Sequence, residues 1–182
     1  TACKTCDKGT FASSSTVSSC ASCATGKYQG QTASTVNACK TCNKGTFASS
    51  ATVTSCASCA SGRYQGQTVS SITACKTCGA GRAAAKTASS CSICQVGRYQ
   101  GQNPSSVNTC KTCDKGMFAA SATVTSCASC ASGKYQGQGS STITACKTCG
   151  AGQAAAKTAS SCSNCQVGRY QGQNPSSVNT CK

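Results

Sequence analysis

The residues with the most evident chemistry are the cysteines. Ten C-x2-C pairs recur along the chain, from Cys3/Cys6 and Cys20/Cys23 to Cys162/Cys165, and Cys181 follows alone. Thiols at that spacing can hold zinc in groups of four, exchange disulfides as a redox motif, or cross-link the chain. Zinc sites need the pairs gathered into fours. Here they are evenly spaced, histidine is absent, and only Cys78 and Cys149 are followed directly by glycine. Redox chemistry needs one reactive pair rather than ten. Structural disulfides fit the pattern best, with four-cysteine zinc as the competing reading.

Other chemistry is hard to assemble. The chain has two acids, Asp7 and Asp114, and no histidine, so no general acid–base pair can form. Serine is plentiful, but no base stands ready to activate it. The sequence therefore reads as a non-enzyme with no cofactor. Its formal charge of +15 suits either a soluble surface of spaced cations or anionic partners such as acidic glycans. Basic residues and tyrosine alternate in G-[KR]-Y-Q, a pattern that also stacks on nucleic acid. An extracellular disulfide chain rarely meets nucleic acid, so no such partner is expected. No apolar run approaches the roughly 20 residues of a membrane span, so none is expected in this section.

Cross-links need elements to hold, and the repeat supplies them. We define a half-module as running from the second Cys of one pair to the first Cys of the next; ten fit the chain. In all ten, glycine lies three residues after the opening Cys. In eight, an aromatic lies five residues after it (Phe11, Tyr28, Phe47, Tyr64, Tyr99, Phe118, Tyr135, Tyr170). The same eight carry Val or Ile three residues before the closing Cys, as in Val17, Val36, Val53 and Ile72. In the two shortest loops both members change together, to Ala83 with Ala88 and Ala154 with Ala159. Joint loss suggests that the aromatic and the β-branched residue touch.

The glycine suits a turn with positive φ. The chain is then expected to run extended past the aromatic, reverse through Ser, Thr, Asn and Gly, and return past the Val. No 3.6-residue apolar stripe exists, and the AAAK stretches are too short to stand as helices. Leu and Trp are absent, and Val, Ile and Phe together number fifteen of 182 residues, too few for a conventional core. The expected fold is small and disulfide-rich: a tandem array of short irregular β-hairpin half-modules forming an elongated rod, with no large core and little or no helix.

The repeat units are expected at 1–38, 39–74, 75–109, 110–145 and 146–182. A 71-residue super-repeat covers 39–109 and 110–180. Residues 75–111 and 146–182 differ only at Arg82/Gln153 and Ile93/Asn164. The chain starts and stops inside this pattern and reads as a section of a longer array. A single half-module should be unfolded, with stability growing along the array.

Two pairing schemes compete. Nearest-neighbour pairing joins Cys6–Cys20, Cys23–Cys39, Cys42–Cys56, Cys59–Cys75, Cys78–Cys91, Cys94–Cys110, Cys113–Cys127, Cys130–Cys146, Cys149–Cys162 and Cys165–Cys181. It leaves Cys3 for a preceding unit. Crossed pairing joins Cys3 with Cys20 and Cys6 with Cys23. The Gly, aromatic and Val positions respect the nearest-neighbour boundaries and favour that scheme.

The pattern C-x2-G-[TK]-[FY] followed by C-x-x-C resembles the cysteine-rich repeat known as ephrin-receptor-like. It is also similar to the short module that opens TNF-receptor cysteine-rich domains. Residues 6 to 23, CDKGTFASSSTVSSCASC, carry it at Cys6, Gly9, Phe11, Cys20 and Cys23. Long arrays of such units look like those of protist and algal surface or flagellar-hair proteins. The resemblance implies an extracellular or cell-surface location, nearest-neighbour disulfides and a rod-like shape. Near-exact tandem copies depart from the receptors, whose ligand sites need distinct residues at one place.

The expected function is structural: an extracellular rod that self-associates into a filament, ciliary or flagellar hair, or surface coat. The alternative is the stalk or ligand-binding ectodomain of a receptor or adhesin, and a zinc-bound nucleic-acid protein ranks third. The YQGQ motif reads as a structural turn, or else as a ladder in which Tyr28, Tyr64, Tyr99, Tyr135 and Tyr170 pack laterally or touch glycan. Asn103 and Asn174 precede proline, so attached sugars are expected as O-linkages on Ser13, Ser14, Ser15, Ser105, Ser106, Ser176 and Ser177.

Overall fold

Each half-module opens with a tight turn that its own sequence dictates. In nine of the ten half-modules the residue after the opening Cys offers its carbonyl to the N–H three residues on, as Asp7 does to Thr10 (3.1 Å) and Ala60 to Arg63 (3.0 Å). The third residue of such a turn takes a positive φ, which glycine adopts without steric cost. All ten glycines at that position do so, from Gly9 (φ 82°) to Gly168 (φ 83°). The computed structural model describes residues 4–32, 37–68, 73–103, 105–139, 143–173 and 177–182; Cys3, Val36, Ile72, Asn174 and Ser176 lie outside them.

The two residues after the glycine form a strand. It pairs with the two residues that separate the closing Cys from the next opening Cys. Thr10–Phe11 thus pairs antiparallel with Ala21–Ser22, Thr10 opposite Ser22 and Phe11 opposite Ala21. Nine such hairpins occur among the described residues, ending with Gln153–Ala154 against Ser163–Asn164. At the corresponding place beyond them, Tyr170 and Lys182 exchange two backbone bonds (2.8 and 3.0 Å). No helix forms among the described residues, and none is long and apolar enough to cross a membrane.

Strands of two residues do not persist in water unaided. Each loop is closed by a disulfide, and the ten bridges follow the nearest-neighbour order from Cys6–Cys20 to Cys165–Cys181. Their Cα atoms lie 5.6–5.8 Å apart. A loop of this size gains about 3 kcal/mol from closure by restricting the unfolded chain. So many bridges in 182 residues point to an oxidising environment.

The structure corrects one sequence expectation. The return strand does not pass through the Val; it lies beyond the closing Cys. The Val carbonyls are committed elsewhere, accepting from a neighbouring half-module: Gln29 N–H to Val53 (3.2 Å), Gln100 N–H to Val124 (3.2 Å). The aromatics and the Val are not among the fully buried residues. The largest fully buried side chains are opening cysteines such as Cys23, Cys42, Cys59 and Cys94, at most 1% exposed. Phe11, Tyr28 and Phe47 are half-buried, and Val17 is 41% exposed. The buried side chains among the described residues are cysteines, alanines and the first glutamine of each YQGQ, together with Ser105.

By its contacts the chain forms two compact units. One comprises Thr1–Cys78, Ala84–Cys91 and Ser106–Asn108; the other comprises Gly79–Ala83, Ser92–Ser105 and Thr109–Lys182. The same hairpin type recurs within each.

Candidate functional site

The feature that repeats most faithfully is the seam between consecutive half-modules, and it is built from backbone. The turn glycine donates its N–H to the carbonyl six residues past the next opening Cys. Gly9 donates to Gln29 (2.8 Å), Gly26 to Ala48 (3.0 Å) and Gly45 to Gln65 (2.7 Å), and the series continues to Gly152 and Gln171 (2.8 Å). The same glycine's carbonyl accepts from the next opening Cys: Cys23 N–H to Gly9 (2.9 Å), Cys59 N–H to Gly45 (2.9 Å), Cys165 N–H to Gly152 (2.9 Å). Both bonds are present at all nine seams. Each glycine therefore serves its own turn through φ and the neighbour through both polar groups.

A longer contact joins half-modules two apart. Thr52, Thr87, Thr123 and Thr158 take φ of 63–65°, a strained state for a β-branched residue. Each N–H donates back to an opening Cys carbonyl, Thr52 to Cys23 (3.2 Å) and Thr87 to Cys59 (2.9 Å). The carbonyls of the four threonines press on Gly9, Gly45, Gly81 and Gly116, so closely that a Cβ at any of these glycines would overlap them. No side chain other than hydrogen fits there.

The position six past the opening Cys alternates with loop length. In loops whose cysteines are 13 or 14 apart, Ala48, Ala84, Ala119 and Ala155 fill it and are buried. In loops with cysteines 16 apart it is the first Gln of YQGQ. Gln29, Gln65, Gln100, Gln136 and Gln171 are 3–7% exposed. The Gln65 Oε1 accepts from the Gln67 N–H, and its Nε2 donates to the carbonyls of Gln67 and, in the preceding half-module, Thr46 (3.2 Å). The amide thus stiffens its own longer loop and fastens it to the module before. Gln65→Leu keeps the volume but removes three hydrogen bonds to backbone groups, each worth about 1 kcal/mol net. We expect about 3 kcal/mol of local destabilisation, read as faster hydrogen exchange at the Gly45 and Gln65 amides.

The remaining residues singled out in the sequence fall into distinct settings. Tyr28, Tyr64, Tyr99 and Tyr135 are half-buried on their strands, and Tyr170 is exposed. Each of the first four stands directly across from a lysine: Tyr28–Lys40, Tyr64–Lys76, Tyr99–Lys111 and Tyr135–Lys147. Their strand neighbours pair a cation with threonine, as in Lys27–Thr41 and Arg63–Thr77. Ser13, Ser14, Ser15, Ser106 and Ser177 are exposed. Ser105 is buried, so its hydroxyl is not offered to solvent in the folded chain.

The two positions at which residues 75–111 and 146–182 differ prove to be partners. Arg82 lies across from Ile93 in one copy and Gln153 across from Asn164 in the other. The second pair closes a side-chain hydrogen bond of 3.0 Å. The sequence shows both differences but not their adjacency, because a two-residue strand carries no alternation that marks its partner.

No protein-family model matches the chain, and no curated protein matches it in sequence. What the structure establishes is a cysteine-rich tandem repeat with ten bridges and regular hairpins.

Proposed function

We propose that this chain is a structural protein: an extracellular, disulfide-stapled repeat rod that builds a filament, a ciliary or flagellar hair, or a surface coat. The carrying observation is the seam, which uses the same backbone donors and acceptors at nine junctions. A junction of that kind accepts any further half-module and propagates without limit, and repeat arrays gain stability with each copy. The resemblance of residues 6–23 to ephrin-receptor-like repeats supports the extracellular setting, as do the bridges.

Chains carrying two, three and four copies of the 71-residue period test the reading by electron microscopy. Rods that lengthen in equal steps and associate into fibres or sheets are the expected result. Compact particles of unchanging aspect count against the rod, and rods that stay single under all conditions favour a stalk.

A further inference from the structure

The hairpins are of two chemical kinds, and they alternate along the chain. Those opening at Thr10, Thr46, Arg82, Met117 and Gln153 vary freely at the pair after the glycine: Thr–Ser twice, then Arg–Ile, Met–Ser and Gln–Asn. Their second pair joins an aromatic or alanine to Ala or Ser. The hairpins opening at Lys27, Arg63, Arg98 and Lys134 do not vary in this way. All four set a cation across from Thr and Tyr across from Lys.

Fold requirements explain the tyrosine but not the cations. The lysines at 40, 76, 111 and 147 are exposed. The other kind of hairpin places a small neutral residue at the same register and closes the same bonds. Directly opposed residues share a face of the hairpin and strand neighbours do not, so each of these lysines stands on the same face as its tyrosine, and the cation beside the tyrosine stands on the other. The chain supplies almost no counter-charge for these lysines, since its only acids are Asp7 and Asp114, both in turns of the other kind of half-module.

We propose that the Tyr–Lys hairpins are a repeated binding site for a linear acidic polysaccharide. The lysine meets carboxylate or sulfate groups, and the tyrosine across from it offers a ring face to the sugar and a hydroxyl to its polar groups. Each compact unit carries two such hairpins, so a long glycan can engage several weak sites at once and gain avidity. The inference rests on the extracellular setting proposed above, but not on self-association.

The chain has five tyrosines and no tryptophan, so its intrinsic fluorescence reports these hairpins and the bridge at Tyr170. The disulfide-intact chain is titrated with heparin, polygalacturonate, dextran and duplex DNA at one salt concentration. Tyrosine emission should respond to the first two, with affinity falling as salt rises, and not to dextran. The variant K40Q/K76Q/K111Q/K147Q should bind the acidic glycans at least about tenfold more weakly. The charge-matched K8Q/K44Q/K115Q/K157Q, altered at exposed positions outside these hairpins, should change by less than about twofold. Equal loss in both variants overturns the proposal, because the attraction is then diffuse. Tighter binding of DNA than of either acidic glycan overturns it in favour of nucleic acid. Light scattering without glycan reports self-association separately, so either property can fail alone.

Discussion

Gly45→Ala opens the half-module between Cys42 and Cys56 and loosens its neighbours, whereas Gly168→Ala leaves the chain folded. Both glycines have similar φ, 78° and 83°, so both variants carry the cost of placing an L-residue there, about 1–2 kcal/mol. Their surroundings differ. A Cβ on Gly45 runs into the Thr87 carbonyl, while one on Gly168 meets nothing within 4 Å. The Thr87 carbonyl cannot simply retreat, because the same residue's N–H is bonded to Cys59 (2.9 Å). Relief comes only by breaking that bond or the seam bond from Gly45 to Gln65 (2.7 Å). We expect a local loss of about 3–5 kcal/mol at Gly45, strain and lost buried bonds together. Hydrogen exchange at the Gly45, Cys59 and Thr87 amides measures it. Equal effects of the two substitutions would show that the close approach contributes nothing.

Removing the Cys59–Cys75 bridge as a double alanine variant produces the other large effect. Its loop closes cysteines 16 residues apart, and its loss frees about 3 kcal/mol of unfolded-chain entropy. Truncating Cys59, fully buried at the seam, adds the cost of a small cavity. The hairpin between Arg63–Tyr64 and Lys76–Thr77 then lacks its staple. The seam bonds that meet it, from Gly45 to Gln65 (2.7 Å) and from Cys78 to Gly62 (2.8 Å), should exchange freely. Protection at Cys130 and Gly133, which belong to seams in the other unit, should persist, as nearest-neighbour stability requires. Uniform loss of protection along the chain would reveal a single cooperative core instead.

How much of this was legible in the sequence depends on where each signal resides. The glycine turns were readable because glycine adopts the positive φ at Gly9 and its nine equivalents without steric cost. The pairing favoured by the Gly, aromatic and Val positions is the order the bridges take. The strand partners were not readable. A strand of two residues shows no alternation, and Ala21–Ser22 looks like linker until it is seen opposite Thr10–Phe11. The seam was invisible for a deeper reason, since its donors and acceptors are backbone groups that any residue provides. Burial of Gln65 did leave a trace. YQGQ occurs only in loops with cysteines 16 apart, and Ala replaces its first Gln in shorter ones, which marks a space-filling and bond-supplying role. Nothing in the sequence marked Thr52 for positive φ, because β-branched residues disfavour it.

The account stands on half-modules that are each closed by their own bridge. Peptide mapping of the unreduced, alkylated chain tests this most directly, together with its intact mass. The predicted result is a mass two hydrogens lighter per bridge for ten bridges. The linked peptides should join Cys6 to Cys20, Cys23 to Cys39 and so on to Cys165 with Cys181. Peptides joining Cys6 to Cys23, or free thiols accompanied by stoichiometric zinc, would contradict it.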